Sequence, residues 1–172
     1  MRKHWENCIT NFDNAVDDFI SDYFGDPSRY VLLVAAAGFD PRSRRISQTL
    51  AETLGPRLSA IYVREERPGA SQELIEQANK NEAVLKQIVP DSIVIRIDIF
   101  ADDGAPVSGS RIVSRLSEHP VADMVTDVIL DLSALSIGVG FPTARMLLED
   151  CESVPNRAFH LMIVSNPEMD DR

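Results

Sequence analysis

Short apolar runs alternate with longer amphipathic stretches along this chain, and that alternation leaves few folds open to it. The strongest run is Tyr30-Val31-Leu32-Leu33-Val34-Ala35-Ala36-Ala37. Comparable runs predict strands near 30–37, 58–64, 93–100, 127–133 and 159–164. The 3.6-residue pattern predicts helices near 5–24, 44–54, 71–88, 108–118 and 141–152. Strand, helix, strand in repeated order is the pattern of a parallel sheet with crossover helices. The expected fold is therefore α/β, a Rossmann-like, doubly wound, mainly parallel five-stranded sheet.

Strand character then orders the sheet. A strand buried on both faces reads as a continuous apolar run. The first strand does so throughout, and Asp127-Val128-Ile129-Leu130-Asp131-Leu132-Ser133 nearly does. The third alternates, with Ile93, Ile95, Ile97 and Ile99 on one face and Val94, Arg96, Asp98 and Phe100 on the other. Alternation suits an edge. This favours the order 3-2-1-4-5 over 2-1-3-4-5, and either order puts a topological switch point beside the first strand.

The first helix stands outside the alternation. Trp5, Ile9, Phe12, Val16, Phe19 and Tyr23 share one helical stripe, with Glu6, Asp13, Asp17 and Asp18 opposite. Residues 1–26 read as an amphipathic helix that packs on the domain or on a partner, a second copy included. Residues 27–172 read as the α/β domain, either complete or one part of a longer protein. No helix is expected after the fifth strand, so the N-terminal helix is a candidate to cover that end of the sheet.

The net charge of −10 repels nucleic-acid backbone and anionic membrane, which argues against non-specific binding to either. No apolar run is long enough for a bilayer, and no signal-peptide core follows Met1-Arg2-Lys3-His4. A cytoplasmic protein is expected. Cys8 and Cys151 both sit in helix-like patterns and are expected as buried free thiols. His4, His119 and His160 show no ligand spacing, so no metal is expected.

The turn after the first strand, Gly38-Phe39-Asp40-Pro41-Arg42-Ser43-Arg44, holds the leading site candidates. It lacks the G-x-G-x-x-G of dinucleotide folds and the lysine of a P-loop. It does place Arg42, Arg44 and Arg45 at a helix start, where cations oppose the macrodipole. Helix stability does not explain them; a phosphate or carboxylate ligand would, and so would a domain carboxylate. Asp40 is expected either to cap the helix, with Pro41 in its first position, or to act catalytically.

A second loop, Ser133 to Pro142, carries Gly138 and Gly140, whose small size permits close approach of a ligand to the backbone. Pro142 is expected to open the helix that follows. Asp131 is an acid within an apolar strand, where a charge must be paired or used. Ser133 points to the same face. Glu65 ends the second strand, near where dinucleotide folds hold a ribose. Ser108-Gly109-Ser110-Arg111 opens the third helix of the alternation, with Ser108 the expected cap.

Ligand-binding candidates are thus Gly38, Phe39, Arg42, Ser43, Glu65, Ser133, Gly138 and Gly140; catalytic candidates are Asp131 and Asp40. The residues name no cofactor. The favoured function is a module that binds a nucleotide or other phosphorylated small molecule and signals to a partner domain. Two alternatives stand beside it: a glycosidic hydrolase or transferase acting on a nucleotide-like substrate through Asp40 or Asp131, and a ligand-free assembly domain.

Overall fold

A computed structural model describes residues 8–165. Five parallel strands form one sheet: β1 (Val31–Ala36), β2 (Leu58–Glu66), β3 (Ser92–Asp98), β4 (Asp127–Asp131) and β5 (Ala158–Met162). Their order is β3-β2-β1-β4-β5. The strand-character reasoning therefore holds: β1, buried at every position, lies at the centre, and the alternating β3 lies at an edge. In register, Val31 of β1 faces Leu58 of β2 and Asp127 of β4.

Helices cover both faces. On one lie α1 (Asn14–Phe24), α2 (Ser43–Leu54) and α3 (Gln72–Ile88); on the other lie α4 (Ser108–Ser117) and α5 (Ile137–Ser153). Alternate strand residues build two cores. Leu33, Ala35, Tyr62, Ile129 and Met162 join Ile20, Phe24, Leu50 and Leu85 on the first face. Val34, Val63, Ile95, Val128 and Leu130 join Ile112, Leu116, Val139 and Leu147 on the second. Burying such a side chain contributes roughly 1.5–3 kcal/mol.

The N-terminal helix is shorter than its periodicity suggests. It starts at Asn14, after Asp13 takes a positive φ of 50° that ends the helical path. Ile9 and Phe12 are consequently exposed, although the stripe placed them against protein. Cys8 is exposed too, whereas Cys151 is buried; neither forms a disulfide. Trp5 and Glu6 lie outside the described residues. From Val16 onward the stripe does pack on the domain's own sheet, through Val16, Phe19, Ile20, Tyr23 and Phe24. Thus α1 covers the β4–β5 end, where the described residues after β5 form no helix.

Asp127 locks that contact. It is fully buried at the start of β4 and faces α1. Thr126 Oγ1 donates to its carboxylate at 2.6 Å and Tyr23 Oη at 3.1 Å; His160 Nε2 lies 2.8 Å away. The Arg29 guanidinium adds an ion pair at 3.4 Å and stacks on the Tyr23 ring. Burial raises the Asp127 pKa, but these donors outweigh it and hold the carboxyl below its ordinary value.

The start of α5 also differs from expectation. It begins at Ile137, so Pro142 lies inside the helix and does not open it. Pro142 has no N–H for the Gly138 carbonyl one turn back. Gly138 and Gly140 then occupy the first helical turn, beside the side chains of Ser108 and Leu132. A Cβ on Gly138 would sit 2.9 Å from Ser108 Oγ, and one on Gly140 would sit 2.8 Å from Leu132 Cδ2. Ser108 is the first residue of α4, packed against α5, and makes no capping bond.

Candidate functional site

All strands are parallel, so the loops after β1, β2 and β4 meet at one end of the sheet. There they enclose a cleft of about 470 Å³. One wall is the turn from Gly38 to Arg42. The second is the chain from Glu65 to Ala70, continued by α3. The third is the Ser133–Ser136 loop. The switch point lies between β1 and β4, whose following helices α2 and α5 leave to opposite faces and open the space.

Of the sequence candidates, Gly38, Phe39, Asp40, Arg42, Glu65 and Ser133 line this cleft. Ser43, Asp131, Gly138 and Gly140 do not. Ser43 is buried beneath the turn, donating to the Asp40 carbonyl and accepting from Asn81 Nδ2. Asn81, which the sequence reading did not single out, also donates to the Gly38 carbonyl at 2.8 Å and takes a bond from Arg44. One buried amide of α3 thereby holds the β1–α2 turn in shape.

The turn's charges are satisfied internally. Asp40 does not cap α2, which begins at Ser43, and Pro41 lies outside that helix. Asp40 Oδ1 instead accepts from the Arg42 backbone N–H at 2.9 Å. The Arg42 guanidinium returns to the same carboxylate, with Nε at 2.9 Å and Nη2 at 2.7 Å from Oδ2. This is the domain-carboxylate partner, so an anion reaching Arg42 must compete with Asp40. Arg67, not among the sequence candidates, lines the cleft, is exposed, and has no ion-pair partner among the described residues. Its signal was only a basic residue following the strand-end acids.

Among the described residues, two buried carboxylate oxygens have no donor. Glu65 Oε1 accepts from the Ser136 N–H at 2.8 Å, joining β2 to the start of α5. Its Oε2 is buried and has no hydrogen-bond partner. Asp131 is 1% exposed and lies behind Ser133. Its Oδ1 accepts from the Ser133 N–H at 2.9 Å and from the Ser133 hydroxyl, while Oδ2 has no partner. Burial pushes the Asp131 carboxyl up to about 6, and nearby Asp40 adds to the rise. Tyr62, on the same face, is pushed up to about 12, chiefly by burial and partly by Asp131.

The remaining wall is apolar: Phe39, Leu74, Ile75 and Ala78 line it. Phe39 and Leu74 are exposed at 46% and 38%, more than core side chains would be. The cleft thus offers a flat apolar side, a buried acceptor, and a guanidinium at its mouth. Compared with known proteins, the chain matches no family model and no curated protein.

Proposed function

We propose that this cleft binds a nucleotide or other phosphorylated small molecule, and that the domain is a binding module whose occupancy is passed to a partner domain. The observation that carries the reading is Glu65 Oε2, an acceptor without a donor, on a residue that lines a cleft with one apolar side. A buried unpaired acceptor costs roughly 1–3 kcal/mol, and a ligand hydroxyl removes that cost. A ribose supplies such a hydroxyl. The base then lies against Phe39 and Leu74, and the phosphate points toward Arg67 and the Gly38 turn. Ser133 supplies the outward link: its hydroxyl, in the cleft wall, accepts the Val164 N–H at 2.8 Å, just beyond β5.

Binding is favoured over catalysis because neither candidate acid is free in the cleft. Asp40 is occupied by Arg42, and Asp131 is sealed behind Ser133.

The test is a thermal-shift and calorimetric screen of AMP, adenosine, 2′-deoxy-AMP and ribose 5-phosphate, with chromatography of each mixture. AMP at about 100 times its Kd should add roughly 2.7 kcal/mol of stability. Glu65→Gln keeps an acceptor for Ser136 but loses the second one. It should weaken AMP by roughly 1.5–3 kcal/mol, the scale of a hydrogen bond to a charged group. Absence of any stabilising compound, or equal affinity in Glu65→Gln, would refute the reading. Turnover of AMP would instead establish the hydrolase or transferase alternative.

A further inference from the structure

The sheet has two edges, and they are built differently. The β3 edge exposes the charged side chains of Arg96 and Asp98. Charges of this kind are a common protection against edge-to-edge pairing. The β5 edge, Ala158-Phe159-His160-Leu161-Met162-Ile163, carries no Asp, Glu, Lys, Arg or Pro.

Its main chain is half used. Ala158 N donates to Thr126 O, and Met162 O accepts from Leu132 N. Ladder bonds in a parallel pair recur at every second residue. Ala158, His160 and Met162 therefore turn toward β4. Phe159, Leu161 and Ile163 turn their N–H and C=O groups away from the sheet, and no hydrogen bond from the described residues reaches them.

The side chains add an apolar corner. Leu161 and Ile163 are 54% and 68% exposed, on the same sheet face as α5. The first turns of α5 lie at the end of the sheet where β5 finishes, and present Ile137 and Phe141 at 76% and 66% exposure. Leu161 and Ile163 on the strand and Ile137 and Phe141 on α5 thus leave four large apolar side chains exposed on this face, toward the carboxyl ends of the strands. In a chain of net charge −10, two copies meeting at this corner oppose no charged β5 residue.

We infer that β5 pairs with β5 of a second copy, antiparallel and about a two-fold axis perpendicular to the sheet. An open edge of N–H and C=O groups is completed only by another extended strand. A strand paired antiparallel with itself is the closed, isologous solution. Centred on Leu161, it sets Leu161 against Leu161 and Phe159 against Ile163, apolar against apolar on the α5 face, with His160 against Met162 on the other. The axis keeps both α5 helices on one face, so the Phe141 and Ile137 corners flank the new strand pair. The two sheets become one, and both clefts remain open at their strand ends.

Sedimentation and light scattering across a micromolar to submillimolar range test this on the full chain. The parent should reach twice the chain mass. Ile163→Lys places a charge in the corner, and Leu161→Pro removes an outward N–H that the fold itself does not use. Both should give single-chain mass with the parent's circular dichroism. Should the proline variant misfold, the lysine variant carries the test. In the parent, hydrogen exchange at Leu161 and Ile163 amides should slow at least tenfold on raising concentration through the dimer transition. A single-chain mass at every concentration overturns the inference. So does a dimer that survives Ile163→Lys, or one whose Leu161 and Ile163 amides stay unprotected.

Discussion

Asp131 should make this protein less stable at neutral pH than in mild acid, and Asp131→Asn should abolish that loss. Burial raises the carboxyl from 3.8 in the unfolded chain to about 6 in the fold. The folded state therefore holds this proton more tightly than the unfolded state. Below about pH 4 both states are protonated, and the residue's contribution is complete. Between about pH 4 and pH 6 only the unfolded chain ionises, so stability falls as pH rises. Above about pH 6 the loss is full, and a difference of roughly two pH units corresponds to about 3 kcal/mol. Asparagine cannot ionise, yet keeps the oxygen that accepts the two Ser133 bonds. Urea unfolding of parent and variant, free of ligand, gives ΔG at each pH. The variant-minus-parent difference should climb by about 3 kcal/mol from about pH 4 to pH 7, in the variant's favour. Other titrating groups cancel in that difference. Parallel profiles, within about 0.5 kcal/mol, would refute the assignment of a desolvated Asp131 that holds its proton up to about pH 6.

Asp127 should behave in the opposite sense. Its lowered pKa gives stability that is present above the ordinary carboxylate range and disappears as pH falls through the lowered value. Asp127→Ala should cost roughly 3–5 kcal/mol in urea unfolding, because it strands the donors of a buried network; a cost below about 1 kcal/mol would show that the network is dispensable. Gly138→Ala should leave Tm unchanged or raise it slightly, since its Cβ meets only the rotatable Ser108 hydroxyl, at 2.9 Å, among the described residues. Turning that hydroxyl aside is cheap beside the roughly 0.5–1 kcal/mol gained by removing a helical glycine; a Tm lowered by several degrees would mean that Ser108 is locked in place.

The amino-acid sequence by itself determined the sheet. Hydrophobic period separates helices from strands, and burial on one or two faces separates an edge strand from a central one. These are local properties of side chains, legible without partners. The switch point followed from the order, and with it the end of the sheet where Gly38, Phe39, Glu65 and Ser133 meet in the cleft.

Tertiary structure decided the charges. Asp127 and Asp131 are the same residue type on the same face of the same strand. One meets Tyr23, Arg29, Thr126 and His160, and is held ionised; the other accepts hydrogen bonds from Ser133 alone among the described residues, and burial pushes it toward neutrality. Nothing within β4 distinguishes them, because most of the donors lie elsewhere in the chain. Arg42 and the glycines show the same limit. The sequence identified a guanidinium at a helix start and small residues near a loop. Only the folded chain shows that Asp40 takes the first, and that Ser108 and Leu132 lie where a larger side chain would go. Local periodicity is written in neighbouring residues, whereas the state of a buried charge depends on which distant donors the fold brings to it.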